Sequence, residues 1–266
     1  MRPIQDLSSE TARALEFLLF DIDDTVTQNG LLPASSLLAM EQLGASGLKL
    51  VPITGRPAGW CDHIARMWPV DAVVGENGAF WFSYDREAKT MLSGFAKCET
   101  AREQDAAKLA ALKTNILARV PGAGVASDQF CRIADLAIDF CEDVPALSQS
   151  DIEKIVRLFE EAGAVAKVSS IHVNGWFGDY DKLSMTRTCL KTRFGFDIDT
   201  RNNAVTFVGD SPNDQPMFDF FKNSVGVANV RNFELETPPE WVTQRPAADG
   251  FSELGERIIK LRQGSD

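Results

Sequence analysis

Five short apolar runs end abruptly in turns, and this pattern constrains the chain more than any other feature. Residues 16–22 read EFLLFDI, 48–53 LKLVPI, 72–74 AVV, 204–208 AVTFV and 224–227 SVGV. Short apolar runs of this kind suit strands covered on both faces. Helical spacing follows between the first two, from Leu37 to Leu43 after Pro33, and Pro57 opens another helix where proline is tolerated. Strand–helix alternation predicts an α/β protein with a doubly wound parallel sheet. Open sheets of this kind bind ligands beyond the C-terminal ends of their strands. The residues just after each run are therefore the first candidates for chemistry.

The middle of the chain breaks the pattern. Residues 99–119 predict one long helix and 132–140 an extended segment. Residues 148–162 predict a helix capped by Ser148 or Ser150, and 165–168 and 171–177 are β-rich. This is enough for a second, α+β domain at 84–178, inserted into a core made of 1–83 and 179–266. A length of 266 residues accommodates such a division.

The charge balance excludes some partners. Lys and Arg number 27 against 38 Asp and Glu, a net charge of −11. Nucleic-acid binding draws its affinity from Lys and Arg on phosphates, so this chain is not expected to bind nucleic acid or an anionic membrane surface. Five scattered cysteines without a CxxC pair read as thiols in a reducing compartment, and no secretory signal or bilayer-length apolar run is evident. The expected location is the cytoplasm.

The strongest local signal is Asp21-Ile22-Asp23-Asp24-Thr25, directly after the first run. Residues two apart in extended chain point the same way, so Asp21 and Asp23 share one side. Two adjacent carboxylates repel and need a cation or a shared proton. A hard divalent ion with oxygen ligands meets that need, although an acidic turn capping the next helix has the same spacing. Gly209-Asp210-Ser211-Pro212-Asn213-Asp214 repeats the placement after the fourth run. Asp210 could complete an ion site, with Asn213 and Asp214 behind it. Thr54-Gly55-Arg56 before Pro57 offers a hydroxyl and N–H groups for an anion, or a simple helix cap. Lys182 opens a late helical stretch and could neutralise a phosphate.

In the order Asp-x-Asp-x-Thr, Thr-Gly-Arg, Lys, Gly-Asp-x-x-Asn-Asp, these motifs resemble the haloacid dehalogenase superfamily of phosphohydrolases. The insert and the loop Gly75-Glu76-Asn77-Gly78-Ala79 resemble its branch with the C2-type α+β cap (IIB), which includes Cof-like and sucrose-phosphate phosphatases. The resemblance implies a Rossmann-like core and a Mg²⁺-dependent phosphomonoesterase acting on a small phosphorylated metabolite, a sugar or glycosyl phosphate. It implies Asp21 as nucleophile and Asp23 as acid and base. Asp21, the Asp23 main chain and Asp210 would hold Mg²⁺. Thr54, Gly55 and Lys182 would grip the phosphate, and Thr25, Asn213 and Asp214 would support the ion and lysine. A phosphomutase shares these motifs, and a receiver-type signalling protein shares the acid cluster, Thr and Lys.

Selectivity should come from the insert, where 11 Lys and Arg stand against 14 Asp and Glu over 85–177. Candidate substrate contacts are Asn77, Arg132, His172, Asn174 and Trp176. The last three share one face of a regular strand. Asp135 and Asp139 are expected on a solvated rim. Cys61 and His63 lie two apart in a predicted helix and cannot face each other, so packing is expected for Cys61 and surface for His63. Nothing in the sequence sets an oligomeric state.

Overall fold

A computed structural model describes residues 1–169 and 171–264. Its core is a six-stranded, wholly parallel sheet in the order Arg2–Pro3, Trp241–Val242, Asn223–Gly226, Val205–Gly209, Phe17–Phe20, Lys49–Pro52. Phe17–Phe20 lies inside it, aligned Phe17 to Val205 on one side and Phe17 to Lys49 on the other. Side chains of this strand alternate between two cores. Leu18 and Phe20 pack under the helices Ala34–Ala45, Ala58–Met67 and Ala247–Gln263 with Met40, Ile64 and Leu254. Phe17 and Leu19 pack under Lys182–Phe194 and Gln215–Phe220 with Met185, Leu190 and Met217. Each fully buried Phe contributes about 1.5–3 kcal/mol of transfer free energy. This double coverage explains why the runs are continuously apolar.

A parallel bridge from Ile53 to Val74 extends the sheet to Val73–Gly75. That strand starts an antiparallel three-stranded sheet with Phe80–Asp85 and Thr90–Phe95. Phe80 and Trp81 are buried in the two cores, so this hairpin packs with the parallel sheet. A division at 83/84 falls inside its first strand.

The remaining insert is a four-stranded antiparallel sheet, ordered Gly124–Val125, Leu136–Asp139, His172–Trp176, Val165–Val168. Leu136, Ile138 and Val173 pack against Leu109, Ile116, Ile155 and Phe159 of the helices Glu99–Arg119 and Gln149–Glu161. Gly175 must be glycine, because a Cβ would come within 2.0 Å of the Phe159 ring. Ser148, and not Ser150, caps the second helix, accepting from the Asp151 N–H. By the same alternation, Ala137, Asp139, His172 and Asn174 occupy the opposite face. Only Leu136–Asp139 of the predicted extended segment is strand. The two-residue strands at Arg2–Pro3 and Trp241–Val242 are too short to leave a periodic signal.

Candidate active site

Asp21 follows the last residue of the strand Phe17–Phe20, and its N–H still donates to Val208 O at 2.9 Å. The chain then turns tightly: the N–H groups of Thr25, Val26 and Thr27 all donate to Ile22 O. Asp24 takes a left-handed φ of 53° in this turn. Asp210 similarly follows the strand Val205–Gly209. A Cβ on Gly209 would lie 2.4 Å from Asp214 Oδ2, so glycine there lets Asp214 fold back to accept from the Asp210 N–H at 3.1 Å.

These two strand ends bring Asp21, Asp210 and Asp214 together, with carboxylate oxygens within 4.8 Å of one another. Lys182, the first residue of its helix, donates 2.9 Å bonds to Asp21 Oδ1 and Asp214 Oδ1. The acidic neighbourhood of this lysine is explained by Asp181, which caps the helix in a reciprocal pair with Ser184. Thr25 Oγ1 donates to Asp210 Oδ1 at 3.3 Å and Asn229 Nδ2 to Asp210 Oδ2 at 3.0 Å.

Burial, followed by the opposing pull of Lys182 and the push of Asp214 and Asp23, sends Asp21 up to about 7. Burial and then Asp214 and Asp21 push Asp210 up to about 9. Lys182 moves upward too, because its two carboxylates outweigh its burial. One ammonium thus faces three buried carboxylates, and Asp21 Oδ2 has no hydrogen-bond partner among the described residues. That surplus of hard oxygen donors fits a divalent cation. Asp21 and Asp210 would hold it. Asp214 is already occupied by Lys182 and the Asp210 N–H.

A cavity of about 340 Å³ opens beside this cluster. Core residues Asp21, Asp23, Gly55, Asn77, Asp210 and Asn213 line one side, and His172 and Asn174 of the insert line the other. The remaining expected site residues sit off its wall. Thr54 is fully buried, with Oγ1 accepting from the Arg56 N–H at 3.0 Å, while Gly55 and Arg56 reach the cavity. Two of the residues off the wall are the substrate candidates Trp176 and Arg132. Trp176 is buried against Tyr180, stacked at 5.9 Å and donating to its carbonyl. The Arg132 side chain is only 2% exposed and is consumed by Gly55 O, Asp128 and Asp135. The solvated rim is corrected. Asp135 is buried between Arg132 and Asn174, and Asp139 is buried accepting from the N–H groups of Cys141, Glu142 and Asp143. Cys61 is buried and His63 exposed, as helical spacing requires.

His172 Nε2 lies 2.8 Å from Glu142 Oε2, while burial draws the imidazole below its usual range. Asn174 Nδ2 donates to Asp135 Oδ2 at 3.0 Å. Two participants were given no role of their own by sequence reading. Arg56 grips Asp23 through Nε and Nη2 at 2.7–3.2 Å. Its place as third residue of Thr-Gly-Arg was the available signal. Asn229 ties Asp210 to the Asp24 carbonyl, and its place after the fifth apolar run marks it in the same way.

No protein-family model and no curated protein sequence matches the chain. Solved structures do match over nearly its whole length. The C-terminal domain of C. albicans trehalose-6-phosphate phosphatase aligns with a TM-score of 0.71 at 13% identity, covering 99% of this chain and 98% of that one. A haloacid dehalogenase-like hydrolase from Bacteroides thetaiotaomicron gives 0.64 at 14%, covering 92% and 99%. The sucrose-phosphatase of Synechocystis sp. PCC6803, in complex with sucrose and phosphate, gives 0.63 at 16%, covering 92% and 98%. The fold is therefore that of the haloacid dehalogenase-like hydrolases, a Rossmann-like core carrying a cap. Among the described residues, no helix is long and apolar enough to cross a membrane.

Proposed function

We propose that the chain is a Mg²⁺-dependent phosphomonoesterase of the haloacid dehalogenase superfamily, acting on a small phosphorylated metabolite in the cytoplasm. The observation that carries this reading is Asp21: a buried carboxylate at the end of an inner strand, bonded to a buried lysine and facing a cavity. The structural neighbours include proteins named as a trehalose-6-phosphate phosphatase and a sucrose-phosphatase, which supports a sugar or glycosyl phosphate as substrate. The insert from Ala96 to Phe177 acts as the cap.

Asp21 attacks phosphorus in line with the leaving oxygen, forming an aspartyl-phosphate that water then hydrolyses. Lys182 holds Oδ1 of Asp21, and its charge draws the phosphoryl oxygens. Gly55 and the buried Thr54 shape the loop that receives them. Asp23 gives a proton to the leaving oxygen and later takes one from water. To do so its carboxyl must part from Arg56, which pins it to the cavity wall in the resting enzyme. A bound Mg²⁺ supplies charge neutralisation between the carboxylates and the phosphoryl group. His172 and Asn174 reach the alcohol side of the substrate.

The test is a panel of phosphorylated metabolites assayed for inorganic phosphate with Mg²⁺ and with excess EDTA. Phosphate release is expected with Mg²⁺ only, and Asp21→Asn should fall to background while remaining folded. Mg²⁺ at 100 times its dissociation constant should stabilise the fold by about 2.7 kcal/mol. Phosphate release at full rate in EDTA, or near-normal kcat in Asp21→Asn, overturns the reading.

A further inference from the structure

The turn Gly75-Glu76-Asn77-Gly78 meets three parts of the molecule at once. Its Glu76 N–H donates to Arg56 O and its Asn77 N–H to Thr54 O, both at 3.1 Å, so it braces the loop Thr54-Gly55-Arg56. Gly78, at φ 105°, packs on the start of the Lys182 helix so closely that a Cβ would lie 2.0 Å from Asp181 O. The third contact crosses to the cap. The Glu76 carboxylate is wholly buried. Its Oε1 accepts from Ala58 N–H of the core at 2.9 Å and from Ile133 N–H at 3.0 Å. Its Oε2 accepts from the N–H groups of Ile133, Ala134 and Asp135 at 3.1, 2.7 and 3.1 Å.

This arrangement has local costs. Glu76 and Asn77 are successive non-glycine residues at φ 43° and 55°, a region that L side chains disfavour. Strain of this kind persists only where the surroundings over-determine it. Here the surroundings are three consecutive cap N–H groups, partly or fully buried, that converge on the one carboxylate. A carboxylate alone among side chains offers two acceptor oxygens and no donor, which is what four converging N–H groups require.

The segment so held runs on to both halves of the site. Arg132 Nη1 donates to Gly55 O at 3.0 Å and to both Asp135 oxygens. Asp135 Oδ2 in turn accepts from Asn174 on the cavity face. We propose that Glu76 is a positioning residue, which sets the cap's cavity face in place over the phosphate-receiving loop by anchoring the crossover at Ile133–Asp135. Its effect on turnover rests on the phosphatase reading; its effect on the crossover does not.

Glu76→Gln places an amide NH₂ against N–H donors and should release the crossover. Hydrogen exchange at Ile133–Asp135 should quicken about tenfold or more, with the strand Phe17–Phe20 unchanged. KM for the best metabolite should rise about tenfold, while inhibition by inorganic phosphate stays within about threefold. Glu76→Asp, which keeps the carboxylate, should recover part of both effects. If Glu76→Gln does not fold, Ile133→Pro removes the donor that reaches both carboxylate oxygens. Arg132 before it already has the extended backbone (φ −90°, ψ 143°) that a following proline needs. Unchanged exchange at the crossover, or equal loss of protection in Phe17–Phe20, overturns the proposal. Should no metabolite be hydrolysed, exchange alone decides it.

Discussion

At the scale of single residues, the site is a problem in buried charge. Lys182 is 6% exposed and stands between Asp21 and Asp214, which are 7% and 0% exposed in their side chains. Replacing one member of such a buried set strands the others, at a cost of about 3–5 kcal/mol. Lys182→Met should therefore lower the urea midpoint strongly as well as abolish turnover. Adding Asp214→Asn to it should restore part of the stability and none of the activity. A Lys182→Met protein as stable as the parent would mean that the carboxylates are neutralised by some other group. Asp21, Asp23, Asp210 and Lys182 were legible in the sequence because each directly follows an apolar run or opens a helix. Arg56 and Asn229 were harder to assign, because a side chain's partner depends on which loops converge, and those loops lie 33 and 19 residues from their carboxylate partners.

At the scale of elements, the cap strand His172–Trp176 turns one face to Phe159 and the other to the cavity. On the proposed mechanism the catalytic groups of the core would touch only the phosphoryl group and so would treat phosphate esters alike. Discrimination among alcohols would then fall to the cavity face of this strand. Asn174→Ala should lower kcat/KM for the best metabolite about tenfold, the worth of roughly one hydrogen bond. The loss on p-nitrophenyl phosphate should be smaller. Equal losses on both would assign Asn174 to holding Asp135 instead. Period-two reasoning placed His172 and Asn174 on a common face, and that part survives folding. For Trp176, periodicity tells which way a side chain points and not what it packs on, here the Tyr180 ring. It failed for Asp135 and Asp139 because acidic residues in a charged insert look solvated until their N–H and guanidinium partners are in view. The Arg132–Asp135 stretch read as strand, yet the Arg132 N–H goes to Gln129 O and those of Ile133, Ala134 and Asp135 go to Glu76, not to a neighbouring strand.

At the scale of the whole molecule, the last helix closes the core by gathering distant backbone. Arg257 donates to Gln5 O and Leu7 O, and Arg262 to Ala12 O, Leu15 O and Ser46 O. Glu253 on the same helix accepts from Gln5 Nε2 at 2.7 Å and from the N–H groups of Gln244 and Arg245 at 2.9–3.1 Å. It thereby joins the first turn of the chain to the end of the strand Trp241–Val242. Burial alone would raise this carboxyl. The donated N–H groups, Gln5 and the Arg245 guanidinium outweigh it and hold the carboxyl below its ordinary 4.5. A carboxyl depressed in the folded state binds fewer protons there than in the unfolded chain. Its contribution to stability is therefore complete above 4.5 and is lost as pH falls through the lowered value. Glu253→Gln should lower the thermal midpoint at pH 7, and the gap between parent and variant should close on acidification below 4.5. A gap that stays constant from pH 7 down to that acid range would show that Glu253 works through packing and not through its charge.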